Sequence, residues 1–223
     1  MVRARPCSVA GQGGDIQEAT VNELATNKRI LSVVVPVYNE RDTVATVVER
    51  LLELSDLFEV VIVDDASTDG TADVLTRLAG ENGRITVLIH DVNRGKTGAL
   101  NTGFARTSGD IVVVQDADLE YDPADIPDLI DPIKSGRADV VYGSRFLVKR
   151  ASRVIYFYHY LGNRFLTLLS NFFTNLNMTD IETGYKAFRG DIIRNMVITS
   201  SGFGFEVEVT AKVSKLKCVL YEV

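Results

Sequence analysis

Short apolar runs rich in β-branched residues recur along the chain up to residue 142 and alternate with segments of helical apolar spacing. The strand-like runs are 30–37, 60–63, 85–89, 111–114 and 140–142, and the helical segments are 43–54, 71–78, 98–107 and the stretch after Pro123. Runs without polar alternation indicate strands that are covered on both faces. The regular alternation predicts an α/β fold with a mostly parallel, open, Rossmann-like sheet, helices on both faces and right-handed crossovers.

The composition is that of an ordinary globular protein. Of the 223 residues, 46% are hydrophobic and 24% are charged. The net charge of −6 argues against general nucleic-acid binding, which needs a basic face. Cys7 and Cys218 lie at opposite ends without metal-binding spacing, so we expect free thiols in a reducing compartment. No run reaches the roughly 18 apolar residues of a spanning helix, so we expect no transmembrane segment in this chain.

The run 111–114 ends in closely spaced carboxylates, Asp116, Asp118 and Glu120, and Pro123 stops the extended segment. Ligands of open α/β sheets bind at the carboxyl ends of strands, and acids two residues apart in an extended segment can point the same way. Because like charges repel, we expect a cation between them unless one is protonated, and hard oxygen donors favour Mg²⁺ or Mn²⁺. An acidic loop without a ligand is the alternative for so short a pattern.

Two other predicted strands also end in groups that suit a nucleotide. Pro36, Tyr38 and Glu40 follow the first strand, and Asp64 and Asp65 follow the second. A base can pack on Pro36 and Tyr38, and Asp65 can accept a hydrogen bond from a base N–H. These strand ends predict a nucleotide crevice whose metal would neutralise a pyrophosphate. Acids in such turns are also frequent helix N-caps, and that alternative stays open for Asp64.

The segment 154–173 has the apolar spacing of a helix, with Gly162 as a candidate break, and it is crowded with aromatic residues. No Asp or Glu lies between Ser144 and Thr179. Aromatic rings beside cations are typical of a helix that lies on a membrane surface, and packing in the core is the alternative. The cations of this window are Arg145, Lys149, Arg150, Arg153 and Arg164.

Several motifs, in their order along the chain, resemble those of family-2 glycosyltransferases of the GT-A fold. They are Val-Val-Val-Pro-Val-Tyr-Asn-Glu (33–40), Val-Asp-Asp-Ala-Ser-Thr-Asp-Gly-Thr (63–71), Asn-Arg-Gly-Lys-Thr-Gly-Ala-Leu-Asn-Thr-Gly (93–103), Gln-Asp-Ala-Asp-Leu-Glu (115–120) and Gly-Ser-Arg-Phe (143–146). Within that family the chain is most similar to polyprenyl-phosphate sugar transferases, the dolichyl-phosphate mannose synthases and bactoprenyl glucosyltransferases. That similarity is carried by the segments 118–120, 143–145, 179–186 and 202–206. The resemblance implies a GT-A sheet with the D-x-D motif at the end of a central strand.

The resemblance also implies roles for individual residues. On the donor side, it implies that the base and ribose are held by Pro36, Tyr38, Glu40 and Asp65. The metal would be held by Asp116, Asp118 and Glu120, with Asp116 also part of the nucleotide site and Asp118 counted as catalytic.

On the acceptor side, the resemblance places Arg145 near a donor or acceptor phosphate, a task that suits a guanidinium fork. Lys96 is a weaker candidate for a contact with the pyrophosphate. Asp180 and Glu206 match acidic positions that serve as a base or as an acceptor contact, and Asp180 is the first choice.

The implied activity is inverting, metal-dependent transfer of glucose or mannose from UDP-glucose or GDP-mannose to a polyprenyl or dolichyl phosphate. The enzyme would act as a peripheral protein at the cytoplasmic face of a membrane, with Mg²⁺ or Mn²⁺ as cofactor. The alternative within the family is transfer to a soluble or polysaccharide acceptor. From other classes, a nucleotide-sugar-binding module without catalysis stays open, and a nucleotidyltransferase is disfavoured because no glycine-rich basic loop follows the first strand.

The expected domain organisation is simple. Residues 1–29 are polar and glycine-containing and are expected to form a disordered tail, while residues 30–223 form one catalytic domain. Because the relatives continue beyond the equivalent of Val223, we expect that this domain is shortened at its C-terminus.

Overall fold

The computed structural model describes residues 29–147, 156–200 and 204–223. The predicted disordered tail, residues 1–29, lies outside these ranges apart from Arg29. Three cations of the predicted basic surface, Lys149, Arg150 and Arg153, also lie outside them.

The first part of the fold follows the predicted alternation. Its strands are β1 (Leu31–Val37), β2 (Leu57–Asp64), β3 (Ile85–Ile89), β4 (Ile111–Val114) and β5 (Val140–Tyr142). Its helices are α1 (Val44–Leu52), α2 (Thr71–Glu81), α3 (Gly95–Arg106) and α4 (Ile126–Lys134). The predicted strands and helices of this part are confirmed, with bounds that differ by a few residues.

The later part is less regular. It contains α5 (Phe157–Thr174), β6 (Lys186–Arg189), α6 (Gly190–Arg194), α7 (Phe205–Lys215) and β7 (Leu220–Glu222). The predicted aromatic helix is confirmed as α5, but it continues through Gly162, so no break occurs there. β6 was not predicted, because its four residues begin with a lysine and show no clear pattern.

The described residues form one sheet of seven strands in the order β3-β2-β1-β4-β6-β5-β7. β1 pairs in parallel with β2 and β4, β2 with β3, and β5 with β7. β6 is antiparallel to both of its neighbours, β4 and β5, so these two strands point the same way. The prediction of a mostly parallel sheet is therefore confirmed, and the D-x-D motif follows β4, the central strand.

Helices cover both faces of the sheet, as predicted. Along β1, Val33 and Val35 belong to the core that α1, α2 and α4 cover, and Val34 belongs to the opposite core beneath α3 and α7. This alternation is the period of two expected of a strand, and both of its faces are buried. The sheet is therefore a rigid support for the loops at its edges.

One close contact between α3 and β1 depends on the absence of a side chain. A Cβ atom at Gly103 would lie 2.4 Å from Val34 Cγ1, closer than packed atoms tolerate, and 3.3 Å from Val63 Cγ2, which is a tight contact. We therefore expect Gly103→Ala to lower the free energy of unfolding by about 1–3 kcal/mol, measured by urea denaturation. Gly80→Ala is the matched control, since it also lies in a helix but has no atom within 4 Å of the added Cβ. Gly80→Ala should stabilise by up to about 1 kcal/mol, and equal effects of the two changes would contradict this account.

Candidate active site

The carboxyl ends of β1, β2, β4 and β5 meet at one edge of the sheet. Lys186 pairs with both Val114 and Tyr142, which aligns the ends of β4 and β5 in one row. The loop after β4, residues 115–122 and here called the D-x-D loop, therefore lies beside the loop that carries Arg145. Strand ends, loops and helix starts at this edge contain all the predicted site residues.

The loops after β1 and β2 are tied together by side chains. Asn39 N donates to Ser67 Oγ at 2.8 Å, and Thr68 N donates to Asn39 Oδ1 at 2.8 Å. Asn39 has a φ of 56°, a left-handed conformation that asparagine adopts more readily than most residues. In this arrangement Tyr38 is 49% exposed and Pro36 is partly exposed, so the predicted packing surface for a base is open.

Two acids beside this surface have different surroundings. Glu40 Oε2 accepts a hydrogen bond from Thr43 Oγ1 at 2.6 Å, near the start of α1. Asp64 Oδ1 accepts from Ser67 N at 3.0 Å, whereas its buried Oδ2 has no hydrogen-bond partner within the described part of the chain. A buried carboxylate oxygen without a donor is unfavourable, so Asp64 has the capacity to accept one more hydrogen bond.

Asp65 is buried and organises the start of α3. Its Oδ1 lies 2.6 Å from His90 Nδ1, and its two oxygens accept from Arg94 N at 2.9 and 3.1 Å and from Gly95 N at 2.7 Å. Gly95 has a φ of 74°, which glycine adopts without strain. Sequence reasoning missed His90, which lies 25 residues away and has no motif that links it to Asp65. The predicted contact between Asp65 and a base stays a prediction.

In the D-x-D loop, Asp116 is paired with a lysine from α3. Lys96 Nζ lies 2.8 Å from Asp116 Oδ1 and 3.7 Å from Glu206 Oε1. Burial alone would lower the pKa of the Lys96 ammonium, but the two carboxylates outweigh burial and raise that pKa above its ordinary value. Asp118 is exposed, and its Oδ1 accepts from Glu120 N at 2.9 Å. Lys96 thus connects Asp116, predicted to lie on the donor side, with Glu206, predicted to lie on the acceptor side.

The chemistry of the D-x-D loop fits a divalent cation. Asp116 and Asp118 offer carboxylate oxygens, which are the preferred ligands of Mg²⁺ and Mn²⁺. A Cβ atom at residue 184 would lie 2.5 Å from Asp116 Oδ2, so Gly184 keeps the space next to this carboxylate free. Within residues 29–147, 156–200 and 204–223, no three His, Cys, Asp or Glu side chains form a ready-made metal cluster. Asp116 and Asp118 therefore form no such cluster with a third side chain in this structure, and Glu120 stays a predicted further ligand.

Two tyrosines hold the D-x-D loop against the loop before β6. The rings of Tyr121 and Tyr185 lie 4.6 Å apart, and Tyr121 Oη accepts from Gly184 N at 2.8 Å. Tyr185 Oη lies 2.7 Å from Gln115 Oε1. Burial raises the pKa of both hydroxyls, so both stay neutral and act as hydrogen-bonding groups. The position of the D-x-D loop is thus fixed by contacts with residues that lie 63 and 70 positions further along the chain.

Arg145 and Asp180 form a two-point ion pair. Arg145 Nε and Nη2 donate to Asp180 Oδ2 and Oδ1 at 2.8 and 2.9 Å, and Asn163 Nδ2 from α5 donates to Oδ1 at 2.8 Å. Burial favours the neutral form of the Asp180 carboxyl, but the hydrogen bonds and charge of Arg145 outweigh burial and hold its pKa below the ordinary value. Asp180 is fully buried, whereas the Arg145 side chain is 26% exposed. The pair therefore presents a fixed guanidinium at the edge of the sheet.

Helix α5 has the reverse of the usual amphipathic arrangement. Its buried residues are Asn163 and Thr167, and Thr167 Oγ1 donates to Asn163 Oδ1 at 2.9 Å. Its exposed surface is apolar and includes Phe157, Tyr158, Phe165, Leu168, Phe172 and Phe173. In the described part of the chain, no helix combines the length and apolarity needed to cross a bilayer. Packing in the core, the alternative for this segment, does not hold for these side chains.

Comparison with known families and proteins identifies the family. The model of the family described as glycosyl transferase family 2 matches residues 32–197. The undecaprenyl-phosphate mannosyltransferase of Micrococcus luteus is 32% identical over 206 residues, which cover 87% of this chain and 82% of that protein. The undecaprenyl-phosphate 4-deoxy-4-formamido-L-arabinose transferase of Serratia proteamaculans is 34% identical over 173 residues, or 75% of this chain. The chain spans only 51% of the length of that second relative.

Solved structures agree on the fold. The glucosyl-3-phosphoglycerate synthase of Mycobacterium tuberculosis, in complex with Mn²⁺, UDP and phosphoglyceric acid, superposes with a TM-score of 0.69 at 23% identity. The match covers 87% of this chain and 68% of the synthase. The same synthase with Mg²⁺ and UDP gives a TM-score of 0.66, also at 23% identity, over 87% of this chain and 69% of the synthase. At this level of identity the similarity establishes the fold alone.

The Arg145–Asp180 pair makes stability depend on pH. Because the pKa of Asp180 is lowered by folding, its stabilisation is fully present above the unfolded value of about 3.9 and is lost as the pH falls through the folded pKa. We expect Asp180→Asn to lower the free energy of unfolding by about 3 kcal/mol at pH 7, and this difference from wild type to shrink below about pH 4. Urea denaturation at several pH values measures both.

Asp131→Asn is the matched control for this prediction. Asp131 pairs with Arg137 at 2.5 Å, but both side chains are more than half exposed. Solvent screens such a pair, so the control should cost less than about 1 kcal/mol. A loss in Asp180→Asn that is equally large at pH 3 and pH 7 would contradict the ionised state assigned to Asp180.

Proposed function

Because this chain belongs to glycosyltransferase family 2, we propose that it transfers glucose or mannose from UDP-glucose or GDP-mannose to a polyprenyl phosphate, with inversion at the anomeric carbon. The observation that carries the proposal is the position of two opposite charges at one edge of the sheet. The acids of the D-x-D loop end β4, and the guanidinium of Arg145 follows β5 in the same row. A leaving diphosphate and an attacking phosphate need these two kinds of site side by side.

On the donor side, we assign the base and ribose to Pro36, Tyr38, Glu40 and Asp65. The open surface of Tyr38 supports stacking of a ring, and Asp65 supports the pocket by fixing the start of α3. A divalent cation held by Asp116 and Asp118, with Glu120 as a further candidate, would supply positive charge to the leaving diphosphate.

On the acceptor side, the nucleophile needs orientation more than deprotonation. A phosphate monoester has a second pKa of about 6, so it is largely dianionic at neutral pH. Its oxygen forms a bond to the anomeric carbon, the bond from that carbon to the diphosphate oxygen breaks, and the nucleoside diphosphate leaves. Arg145 suits the binding of the acceptor phosphate, since a guanidinium offers several donors in one plane.

The contacts of Asp180 support a different role from that of a general base. Both oxygens already accept hydrogen bonds from Arg145, and Asn163 donates to one of them. A low pKa and occupied lone pairs make a carboxylate a poor proton acceptor. We therefore assign Asp180 to the orientation of Arg145.

The membrane surface is the proposed place of reaction, because a polyprenyl chain is insoluble in water. The apolar outer surface of α5 suits the boundary between headgroups and acyl chains. The chain has no acidic residue from Arg145 to Asn177, so nothing in this window repels anionic lipids. On the buried side of α5, Asn163 contacts Asp180, so docking of α5 would bring the lipid phosphate close to Arg145.

We expect Asp118→Ala to lower sugar transfer to undecaprenyl phosphate about 100-fold or more, because it removes a carboxylate that stabilises the leaving group through the cation. The rate of transfer from UDP-glucose and from GDP-mannose, with Mn²⁺ present, measures this effect. Asp73→Ala removes an exposed acid from α2 and serves as the control. Its activity is expected to stay within about twofold of wild type, because surface substitutions have small effects. Full activity of the Asp118→Ala variant would contradict the assignment of Asp118 as a ligand of the cation.

Docking through α5 can be tested without catalysis. Leu168 and Phe172 lie one helical turn apart and are 66% and 79% exposed. We expect the double variant Leu168→Glu/Phe172→Glu to bind vesicles that contain phosphatidylglycerol about tenfold or more weakly, because two apolar side chains are lost from the lipid contact. Sedimentation with vesicles measures binding, and thermal unfolding should be nearly unchanged.

The control adds the same charge elsewhere. Ile89 and Val197 are also exposed apolar residues, at 56% and 72%, and lie outside α5. Ile89→Glu/Val197→Glu should bind the same vesicles nearly as well as wild type. If both double variants lose vesicle binding equally, the added negative charge alone explains the loss and α5 has no special role. If the wild-type protein binds no vesicles, the result favours an acceptor in solution.

A further inference from the structure

The last strand of the sheet contacts the loop that carries Asp180. Glu222 in β7 places its two carboxylate oxygens 2.9 Å from Thr179 N, and Oε1 also accepts from Asp180 N at 3.2 Å and from Thr179 Oγ1 at 3.0 Å. All of these groups donate hydrogen bonds. The carboxylate of Glu222 therefore fixes the backbone at the residue whose side chain orients Arg145.

The residue that follows this strand, Val223, supports the other half of the ion pair. Ser144 N donates to Val223 O at 2.9 Å, and Val223 N donates to Tyr142 O at 3.0 Å. Ser144 Oγ lies 2.6 Å from Thr179 Oγ1, which joins the two loops directly. The backbone next to Arg145 thus depends on Val223, which directly follows β7, and the backbone next to Asp180 depends on Glu222 in β7.

A buried lysine holds the next part of the Asp180 loop. Lys186 Nζ donates to Ile181 O at 3.2 Å and to Thr183 O, and it lies 4.6 Å from the centre of the Tyr142 ring. Its hydrogen bonds go to carbonyl oxygens, whereas Glu222 accepts from N–H groups and from the Thr179 hydroxyl. The two side chains satisfy opposite backbone groups of one loop, and Glu222 acts on the part nearest to Asp180.

We propose that Glu222 is a positioning residue of the acceptor-phosphate site, which sets the angle of the Arg145 guanidinium through the backbone of Thr179 and Asp180. This inference rests on the proposed function in one respect, the assignment of Arg145 to the acceptor phosphate. An acceptor-only side chain is needed at residue 222, because each of its partners is a donor. Glutamine has the same shape, but Thr179 N donates to both oxygens of Glu222. The NH2 group of a glutamine would therefore face the N–H of Thr179 in either orientation of the amide.

The test uses Glu222→Gln and two ligands. Geranyl phosphate, a short soluble isoprenyl phosphate, probes the acceptor site by calorimetry, and UDP and GDP with Mn²⁺ probe the donor site. We expect the dissociation constant for geranyl phosphate to rise about tenfold, because a misplaced Arg145 loses part of a charge-assisted contact. The dissociation constant of the nucleotide that wild type binds should change by less than about twofold.

Glu59→Gln separates positioning from a general loss of stability. Glu59 also caps a loop, since its Oε1 accepts from Ser108 N at 2.7 Å and from Ser32 Oγ at 2.7 Å, but it lies at the amino-terminal end of β2. This variant should lose stability without a change in affinity for geranyl phosphate. If both variants weaken geranyl phosphate binding equally, Glu222 has only a structural role and the inference fails.

A double-mutant cycle tests the route through Asp180. In an Asp180→Asn background, where Arg145 has already lost its ionised partner, Glu222→Gln should weaken geranyl phosphate binding by less than about twofold. A further tenfold loss in that background would show that Glu222 acts independently of Asp180 and would overturn the inference.

A readout without ligand distinguishes failure of the inference from failure of the proposed function. If wild type binds no geranyl phosphate, the proposed acceptor class is wrong, but the positioning of Arg145 can still be measured. Phenylglyoxal modifies accessible arginines, and peptide mapping reports the rate at Arg145. That rate should rise in Glu222→Gln and not in Glu59→Gln, and an unchanged rate at Arg145 would reject the role of Glu222.

Discussion

The edge of the sheet that carries the candidate site is crowded with carboxylates, and each of them needs a positive or hydrogen-bonding partner. Asp116 is paired with Lys96, Asp180 with Arg145, and Asp65 with His90 and backbone N–H groups. Without such partners, carboxylates that share one edge of a sheet repel one another or become protonated. Each acid and its partners lie in different elements or loops of the chain, so these contacts also fix how the loops lie relative to one another.

The sequence was sufficient for much of this architecture, for reasons that lie in local chemistry. The run Ile111–Val114 is apolar on both faces, and acids follow it at once, so its place as a buried central strand that delivers carboxylates to an edge is visible in the chain itself. The pairing of the other site residues is not visible in the chain, because Asp180 is 35 residues from Arg145 and Glu222 is 42 residues from Asp180. Residues this far apart in the sequence share no motif from which their contact could be predicted. β6 was missed for a related reason, since its first residue is a lysine whose complete burial only the fold explains.

The strands on the two sides of the sheet carry groups with different assigned roles. β1, β2 and β4 end in the groups assigned to the donor, and β5, β6 and β7 carry or support the groups assigned to the acceptor. The antiparallel β6 between β4 and β5 makes this arrangement possible, because the loop that enters β6 arrives at the same edge at which β4 and β5 end. Burial lowers the pKa of Lys186 at the start of β6 to about 8, although Glu206 and Asp180 act in the opposite direction. The ammonium is retained there by carbonyl groups and by the Tyr142 ring.

The reversed polarity of α5 has a practical consequence for any preparation of the protein. Because α5 buries an asparagine and a threonine and exposes aromatic rings such as that of Phe172, it presents an apolar surface to water. Surfaces of this kind promote aggregation when nothing covers them. Detergent micelles or nanodiscs present during purification would cover this surface, and in their absence the chain would be expected to self-associate through α5. The choice of detergent is therefore set by the same side chains that are assigned to the lipid.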